Sequence, residues 1–305
     1  MAARERPSER NAERLSERNA VLLFSKPPVP GLVKTRLTKE RGGNLTPEQA
    51  AEFFRCSFLD VADLVMAVLE ELDEANRIEQ EDDASVPVRS YDFYVSTTPA
   101  SSVALFEEVF KSDGGWDGLA HPVRYLVDKG ASFNEHFDDA FRQLFDCGYD
   151  NVVAIGGDMP TLPREHIIDA FMWLEYLAAQ DPSRAALVLA PCQQSGVSLV
   201  AQTRHTPIDS AGVYYNLDGL PALDAYTAKL RETSVPAAYL SPVSDVDGDS
   251  DLAHAISCLN AIAEATRFQP GLFLARRTLE WIDRSGLRAS APPNEEHDPR
   301  WEIDV

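Results

Sequence analysis

The chain has 305 residues, of which 44% are hydrophobic and 25% charged, which is enough for one large α/β domain or two small ones. Its formal charge of −21 argues against nucleic acid and anionic membrane surfaces as partners, because both would repel the protein. Four widely spaced cysteines without a C-x-x-C pair, and no apolar run that suits a membrane span or a signal peptide, indicate a cytoplasmic protein.

The N-terminal residues 1–19 are polar and carry a repeated Ser-Glu-Arg-Asn-Ala sequence, which predicts a disordered leader. Residues 21–24 form an apolar run that is too short for a helix and predicts a buried strand. The loop that follows contains Pro27, Pro28, Pro30 and Gly31, which exclude both a helix and a strand ladder. We therefore expect a stiff loop directly after the first strand.

This loop concentrates positive charge in an acidic protein, since Lys26, Lys34 and Arg36 fall within eleven positions. Lysine supplies a point charge and arginine a planar fork, and both suit phosphate oxygens. A solvated basic loop that pairs with nearby carboxylates explains the same residues equally well. The predicted phosphate-binding set is Ser25, Lys26, Gly31, Lys34, Thr35 and Arg36.

The next segments predict alternating helices and strands. A helix starts at Pro47, with Thr46 as its N-cap and Gln49 closing a capping box, and gives way to an acidic loop at residues 70–83. This alternation implies βαβ units and a mainly parallel sheet. Strands are predicted at 91–96, 123–127, 151–155, 185–191 and 236–240, and helices at 103–110, 133–145 and 163–178.

The strand at 151–155 runs into Gly156-Gly157-Asp158-Met159-Pro160. Ligands of open parallel sheets bind at the carboxyl ends of strands, and two glycines allow a ligand to approach the backbone closely. The pattern predicts that Asp158 holds Mg²⁺ or Mn²⁺ against nucleotide phosphates, because hard cations prefer carboxylate and phosphate oxygens. The alternative is an aspartate that only caps the helix beginning near Pro163.

The C-terminal part begins with an acidic segment at residues 244–252, whose carboxylates can also serve simply to complement a helix dipole. An apolar helix is predicted at 271–282 and must pack on its own domain or on a second copy of the chain. The second case predicts a homodimer through this C-terminal helix. The tail at 292–305 is polar and is expected to be loose, although Trp301 could dock.

Three stretches resemble a bacterial family of GT-A-fold transferases, the uncharacterised DUF2064-like glycosyltransferases. Residues 24–37, FSKPPVPGLVKTRL, are similar to the family's K-x-P-x-x-G-x-x-K-T-R-L opening. Residues 148–162 resemble its G-Y-x-x-V-x-x-I-G-x-D-x-P-x-L run, and residues 244–252 resemble its D-V-D-T-P-E-D-L segment. The resemblance covers residues 20–262 and extends, more distantly, to phospholactate and phosphoenolpyruvate guanylyltransferases.

The resemblance implies a Rossmann-like GT-A domain at residues 20–265, with a mixed, mainly parallel sheet covered by helices on both faces, and a C-terminal helical extension at 266–305. It implies a transferase that uses a nucleotide-diphospho-sugar with Mg²⁺ or Mn²⁺. Asp158 and Asp247 would hold the metal ion, while Lys34 and Arg36 would neutralise phosphate charge and complete the catalytic set with Asp158.

The chain departs from the family at two places. Where the family reads D-G-G-Y, the predicted acceptor or donor loop reads Gln194-Ser195-Gly196-Val197, and an amide cannot be a general base or a strong metal ligand. Where the family has a G-E-R-M-like run, His136 replaces the arginine and is expected to be an ordinary helix residue. Two alternatives therefore remain: a guanylyltransferase-like enzyme that joins a nucleoside triphosphate to a small phosphorylated acid and releases pyrophosphate, and a non-catalytic nucleotide-binding protein.

Overall fold

A seven-stranded mixed sheet forms the centre of the computed structural model, which describes residues 16–290. The strand order is β3-β2-β1-β4-β6-β5-β7, and β6 runs antiparallel to β4 and β5 while the other neighbours are parallel. The predicted α/β class with a mainly parallel sheet is thus confirmed. The strands are β1 (Ser16–Phe24), β2 (Val88–Thr97), β3 (Val123–Val127), β4 (Asn151–Ile155), β5 (Leu187–Pro191), β6 (Val197–Thr203) and β7 (Ala237–Tyr239).

Helices cover both faces of this sheet because successive strand residues point to opposite sides. In β1, Val21 and Leu23 pack against one helix layer, while Ala20 and Leu22 pack against the other. The first layer contains α1 (Pro47–Asp82), α2 (Ser101–Asp113) and α4 (Glu165–Gln180), and the second contains α3 (Phe133–Asp146) and α5 (Ala222–Thr233). Among residues 16–290, no helix is both long and apolar enough to cross a membrane.

The first strand begins earlier than the sequence predicted. Ser16 already pairs with Val88, so residues 16–19 of the predicted leader belong to the sheet, whereas residues 1–15 lie outside the described part of the chain. The polar composition hid this extension, which is held by backbone pairing and by amide contacts. Asn151 donates a hydrogen bond to the side chain of Asn19 over 2.9 Å, and Asn19 is buried.

The acidic segment at residues 70–83 was predicted as a loop, and this prediction is wrong. Helix α1 continues to Asp82, since the segment consists mainly of strong helix formers and Arg77 pairs with Glu74 and Glu81 one turn away on either side. The side chain of Asn76 donates to the carbonyl of Pro87 over 3.0 Å and thereby joins the helix end to the start of β2.

The C-terminal region contributes α6 (Asp249–Ala265) and α7 (Arg276–Ser285), and α7 packs on its own domain. Trp281 and Ile282 are buried, with the Trp281 ring 5.3 Å from that of Phe53 in α1. The apolar face that suggested a homodimer is therefore covered within the same chain, while residues 291–305, including the predicted loose tail and Trp301, lie outside the described residues.

A separate small core, which we call the C-terminal core, joins α6 and α7 to the start of α1 and to two loops. Its buried members include Leu37 and Val246, both with no exposed surface. Leu37 directly follows the basic loop, and Val246 lies between two aspartates of the acidic segment. The remaining buried members are Leu45, Ala50, Phe53, Cys56, Leu252, Ala255, Ile256, Leu259, Ala275, Trp281 and Ile282.

Arg277 links α7 to α1 and α2 through ion pairs. Its guanidinium lies 3.2 Å from Asp60 and 2.7 Å from Asp113, and it also contacts Asp63. The Asp60 side chain is only 2% exposed, and burial raises its pKa, although hydrogen bonds from Thr278 oppose that shift.

We expect Arg277→Met to lower the free energy of unfolding by about 2 to 3 kcal/mol, because it leaves a buried carboxylate without its cation. Urea unfolding followed by circular dichroism measures the change. Arg284→Met is the matched control, since Arg284 is 67% exposed and lies 3.6 Å from Glu52. Equal stability of the two variants would show that Arg277 is not needed to hold α7.

Candidate functional site

Two cavities open at the edge of the sheet where the parallel strands β1 to β4 end. The loop-side cavity, of about 590 Å³, lies beside the basic loop and the ends of β2 and β3. The β6-side cavity, of about 500 Å³, lies beside β6 and the segment that leads to α5. Asp158 and Asp247 line both cavities and so stand between them.

Three carboxylates meet at this boundary, since ligand oxygens of Asp158, Asp245 and Asp247 all lie within 4.8 Å of one another. We call them the carboxylate cluster. Asp158 follows β4, as predicted, and the backbone N–H of Val246 donates to the carbonyl of Asp158 over 3.1 Å. This bond places Asp245 and Asp247, which flank Val246, beside the end of β4. Asp247 thereby comes within hydrogen-bond distance of Lys34, although the two residues are 213 positions apart in the sequence.

Asp251 fixes the conformation of this segment. Its carboxylate accepts hydrogen bonds from the backbone N–H groups of Asp247 and Gly248, over 3.1 and 2.8 Å. The carboxylates of the acidic segment thus have two roles. Asp251 caps α6, while Asp245 and Asp247 face Asp158. Dipole complementation therefore accounts for only part of the acidic run.

Lys34 provides the positive charge of the cluster. Its ammonium lies 2.5 Å from Asp158 and 2.8 Å from Asp247, and its side chain is only 7% exposed. The ammonium also lies 5.8 Å from the centre of the Phe54 ring. Arg36 donates to Asp247 over 3.0 Å but is 67% exposed. The predicted pair Lys34 and Arg36 therefore meets the predicted pair Asp158 and Asp247.

These surroundings shift the pKa values of Asp245, Asp247 and Lys34. Burial and the neighbouring charges of Asp158 and Asp247 raise the pKa of Asp245 to about 7, with Lys34 acting in the opposite direction. Burial would raise the pKa of Asp247, but Lys34 and then Arg36 hold it below its ordinary value. Burial would lower the pKa of Lys34, but Asp158 and Asp247 raise it above its ordinary value. The negative charge of the three carboxylates therefore exceeds the single positive charge of Lys34.

The remaining residues of the predicted phosphate-binding set have different positions. Ser25 and Lys26 line the loop-side cavity together with Lys34. Gly31, with φ of 78°, forms the turn of the loop, and Thr35 begins a short 3₁₀ helix. Neither residue lines the loop-side or the β6-side cavity.

In the predicted acceptor or donor loop, Gly196 and Val197 line the β6-side cavity. Gln194 and Ser195 are exposed and have left-handed backbone conformations. The neighbouring Gln193 contacts this site instead, since its side-chain amide donates to the carbonyl of Asp245. The loss of the family's acidic residue at Gln194 therefore removes no carboxylate from either cavity of this chain.

A chain of polar groups on the loop-side cavity was not expected. Ser96 donates to Asp128 over 2.7 Å, and the other Asp128 oxygen lies 2.7 Å from Nδ1 of His136. Asp128 is 2% exposed, and both it and His136 line the cavity. His136 lies in helix α3, as predicted, and its ring contacts this buried carboxylate. Ser96 lies in β2, Asp128 directly follows β3 and His136 lies in α3, so no local sequence spacing indicated that they meet.

Aromatic side chains form a wall between the two cavities. Phe133 and Tyr215 line both, and their ring centres lie 5.4 Å apart. Tyr214 lies 5.0 Å from Phe133 on the β6 side, and Phe24 lies 5.4 Å from Phe133. Tyr215 is 76% exposed, so it offers a flat face to a bound molecule.

Comparison with protein families gives one match. The model of a family described as "Uncharacterized protein conserved in bacteria (DUF2064)" matches residues 89–214. This segment runs from β2 past β6 and contains Asp158, while Lys34 and Asp247 lie outside it. The match confirms the resemblance that was drawn from the motifs. No curated protein shows significant similarity to the chain.

Among solved structures, a candidate nucleotide-diphospho-sugar transferase from Desulfovibrio desulfuricans G20 aligns with a TM-score of 0.60 and 19% identity, over 89% of this chain and 96% of that one. This similarity confirms the fold that the motifs implied. A 4-diphosphocytidyl-2C-methyl-D-erythritol synthase from Anaerococcus prevotii DSM 20548 aligns with a TM-score of 0.40 and 10% identity, over 80% and 96% of the two chains. A cytidylyltransferase from Leptospira borgpetersenii gives 0.40 and 13%, over 92% and 99%. The last two similarities are too weak to support an inference.

The raised pKa of Asp245 predicts a pH-dependent effect of Asp245→Asn in metal-free protein. Between the ordinary value of 3.8 and about 7, the folded state holds a proton that the unfolded state releases, so stability falls as the pH rises through this range. At pH 8 with EDTA, we expect the variant to be more stable than wild type by about 1 to 2 kcal/mol, after allowance for solvent screening. The gain should shrink towards pH 4.

Urea unfolding at pH 5 and pH 8 checks this expectation. Asp209→Asn serves as the control, because Asp209 is exposed and a hydrogen bond from Lys229 lowers its pKa. It should stabilise the protein at neither pH. An Asp245→Asn variant no more stable than wild type at pH 8 would mean that Asp245 is not under repulsion.

Proposed function

We propose that this protein is a metal-dependent transferase that uses a nucleotide donor, most simply a nucleotide-diphospho-sugar. The observation that carries the proposal is the carboxylate cluster, which stands between two cavities at the carboxyl edge of the sheet and faces Lys34 and Arg36. A group-transfer enzyme needs its donor and its acceptor on either side of the reacting bond. Two adjoining cavities that share Asp158 and Asp247 provide this arrangement.

The cluster fits a divalent metal ion such as Mg²⁺ or Mn²⁺. Its donors are carboxylate oxygens within 4.8 Å of one another, the ligand type that hard cations prefer. Burial and then the negative charges of Asp158 and Asp247 raise the pKa of Asp245, and a cation would relieve the repulsion among these carboxylates. Asp158 and Asp247, with Asp245 beside them, would hold the ion. When bound, it supplies positive charge that stabilises the leaving phosphate oxygens.

The donor's phosphates would lie between cations of this chain. Lys26 and Lys34 line the loop-side cavity, and Arg36 lines the β6-side cavity. A diphosphate beside the carboxylate cluster would therefore meet a lysine on one side and a guanidinium on the other. This local charge allows an anionic substrate to bind to a protein with a formal charge of −21.

We place the nucleoside in the loop-side cavity and the acceptor in the β6-side cavity. Both volumes lie within the range of small-molecule sites, about 300 to 1,000 Å³. In the loop-side cavity, His136, whose Nδ1 lies 2.7 Å from Asp128, would meet polar groups of the nucleoside. In the β6-side cavity, Tyr214 and Tyr215 give an acceptor a surface on which a ring can stack.

A direct displacement suits the groups that line these cavities. Burial raises the pKa of Cys192 to about 12, so its thiol is protonated at neutral pH and is a poor nucleophile. The bond from the acceptor oxygen to the sugar carbon would therefore form as the bond from that carbon to the diphosphate oxygen breaks, and the proton of the acceptor hydroxyl would pass to solvent. Lys34, Arg36 and their neighbours would position the diphosphate and stabilise its charge.

Nucleotidyl transfer is the second candidate, because the same cations and carboxylates could serve a nucleoside triphosphate. The products separate the candidates. With nucleotide-sugars, Mn²⁺ and water as a poor acceptor, we expect slow release of the nucleoside diphosphate, detected by anion-exchange chromatography. Release of pyrophosphate from a nucleoside triphosphate would favour nucleotidyl transfer. Binding without either product would favour a non-catalytic protein.

Asp158→Asn should abolish the Mn²⁺-dependent stabilisation of the protein by its nucleotide while leaving the fold intact. A ligand at one hundred times its Kd stabilises the native state by about 2.7 kcal/mol, which is several degrees in Tm. Thermal unfolding with UDP-, GDP- and dTDP-sugars, GTP and CTP, each with and without Mn²⁺, measures the effect. Asp209→Asn should keep the full shift. A full shift in Asp158→Asn would place the metal elsewhere.

A further inference from the structure

The ammonium of Lys34 lies where a free metal ion would have to bind. It is 2.5 Å from an oxygen of Asp158 and 2.8 Å from an oxygen of Asp247, two of the three carboxylates that form the cluster. A divalent ion shared by these carboxylates would bind within about 2.0 to 2.6 Å of their oxygens. It would then lie only a few ångströms from the ammonium. Repulsion between the two cations prevents both from occupying the cluster.

We propose that Lys34 excludes the free metal ion, so that the site accepts a divalent cation only together with the phosphates of a nucleotide. This inference rests on the proposed function and specifies the form in which the ligand binds. Lys34 is the residue that couples binding of the metal ion to binding of the nucleotide phosphates.

The position of Lys34 is built into the fold and is not a casual surface contact. Its side chain is 7% exposed, and its backbone has the left-handed conformation, with φ of 48° and ψ of 36°. The loop is anchored on both sides of it by the buried residues Val33 and Leu37, and Leu37 donates a backbone hydrogen bond to the Lys34 carbonyl over 3.0 Å. Arg36, which also contacts Asp247, is 67% exposed and can leave it for solvent.

A nucleotide gives the ammonium an alternative partner. Lys34 lines the loop-side cavity with Ser25 and Lys26, so phosphates in that cavity would lie beside it. The carboxylates can then exchange the ammonium for the metal ion while the ammonium exchanges the carboxylates for phosphate. The free ion brings no anion, and its binding would leave the largely buried Lys34 beside a dication without a partner. Metal and nucleotide should therefore bind with positive cooperativity.

The test compares Mn²⁺ binding by wild type, Lys34→Met and Lys26→Met, measured from the free-ion signal in electron paramagnetic resonance. Lys26 lines the same cavity but makes no contact with the carboxylate cluster among the described ion pairs. Without nucleotide, Lys34→Met should bind Mn²⁺ at least about tenfold more tightly than wild type, the smallest effect that one adjacent charge usually has on an ionised site. Lys26→Met should match wild type. An excess of UDP or GDP should tighten Mn²⁺ binding in wild type and much less in Lys34→Met.

Thermal unfolding provides a second measurement if the substitution destabilises the protein. Lys34→Met leaves two carboxylates without their cation, so its Tm in EDTA should fall, and Mn²⁺ should restore more of the Tm than it adds to wild type. Lys34→Gln, whose amide still donates hydrogen bonds, should show the same pattern with a smaller loss. Adding Asp158→Asn to Lys34→Met should remove the gain in Mn²⁺ affinity.

The outcomes separate this inference from the proposed function. If wild type binds Mn²⁺ with nucleotide but Lys34→Met gains no affinity for Mn²⁺ alone, the inference is wrong and the proposed function stands. Wild type that binds free Mn²⁺ as tightly as Lys34→Met overturns the inference in the same way. A gain that persists in the double variant also overturns it, since the ion would then bind elsewhere. If neither wild type nor Lys34→Met binds Mn²⁺ under any condition, both are wrong.

Discussion

Repulsion among three carboxylates is the constraint on which this site depends. Asp158, Asp245 and Asp247 lie within 4.8 Å of one another in a partly buried position, and like charges at such distances destabilise the folded state unless cations compensate them. The compensating charge comes from the loop after β1, whose prolines and glycine limit the conformations of the chain that carries Lys34. The protein thus keeps a concentrated negative charge because another part of the chain is fixed opposite to it.

The architecture explains why these groups meet. Parallel strands β1 and β4 are neighbours, so the loops that follow them share one edge of the sheet. The acidic segment reaches the same edge through the backbone bond between Val246 and Asp158. The cluster then separates two cavities with different linings, one with lysines and a histidine, the other with tyrosines and an arginine. One set of charges can therefore act on molecules bound on either side.

The sequence was sufficient to predict the site residues that directly follow predicted strands. Asp158 and Lys34 carried local signatures of glycine and proline next to an apolar run, and family motifs added Asp247. The antiparallel β6 was not predicted, and the wall containing Tyr214 and Tyr215 follows it. The pairing of His136 with Asp128 could not be predicted either, because it depends on which strand ends adjoin α3. Polar composition led to two wrong predictions in the first βα unit. Residues 16–19 were predicted to be disordered but pair with β2, and residues 70–83 were predicted to be a loop but extend α1, where oppositely charged side chains one turn apart form ion pairs.

The C-terminal core has a consequence for the order in which the protein is made. Leu37 follows the basic loop, and Val246 separates Asp245 from Asp247. Both side chains pack in one core with α6 and α7. On the ribosome, all seven strands emerge before these helices do. A nascent chain can pair its sheet early, but the core that packs against the lysine loop and the aspartate segment is complete only when α7 docks. A chain that stops short of α7 would therefore carry the sheet without a complete C-terminal core, and the candidate site would be finished only after α7 has been made.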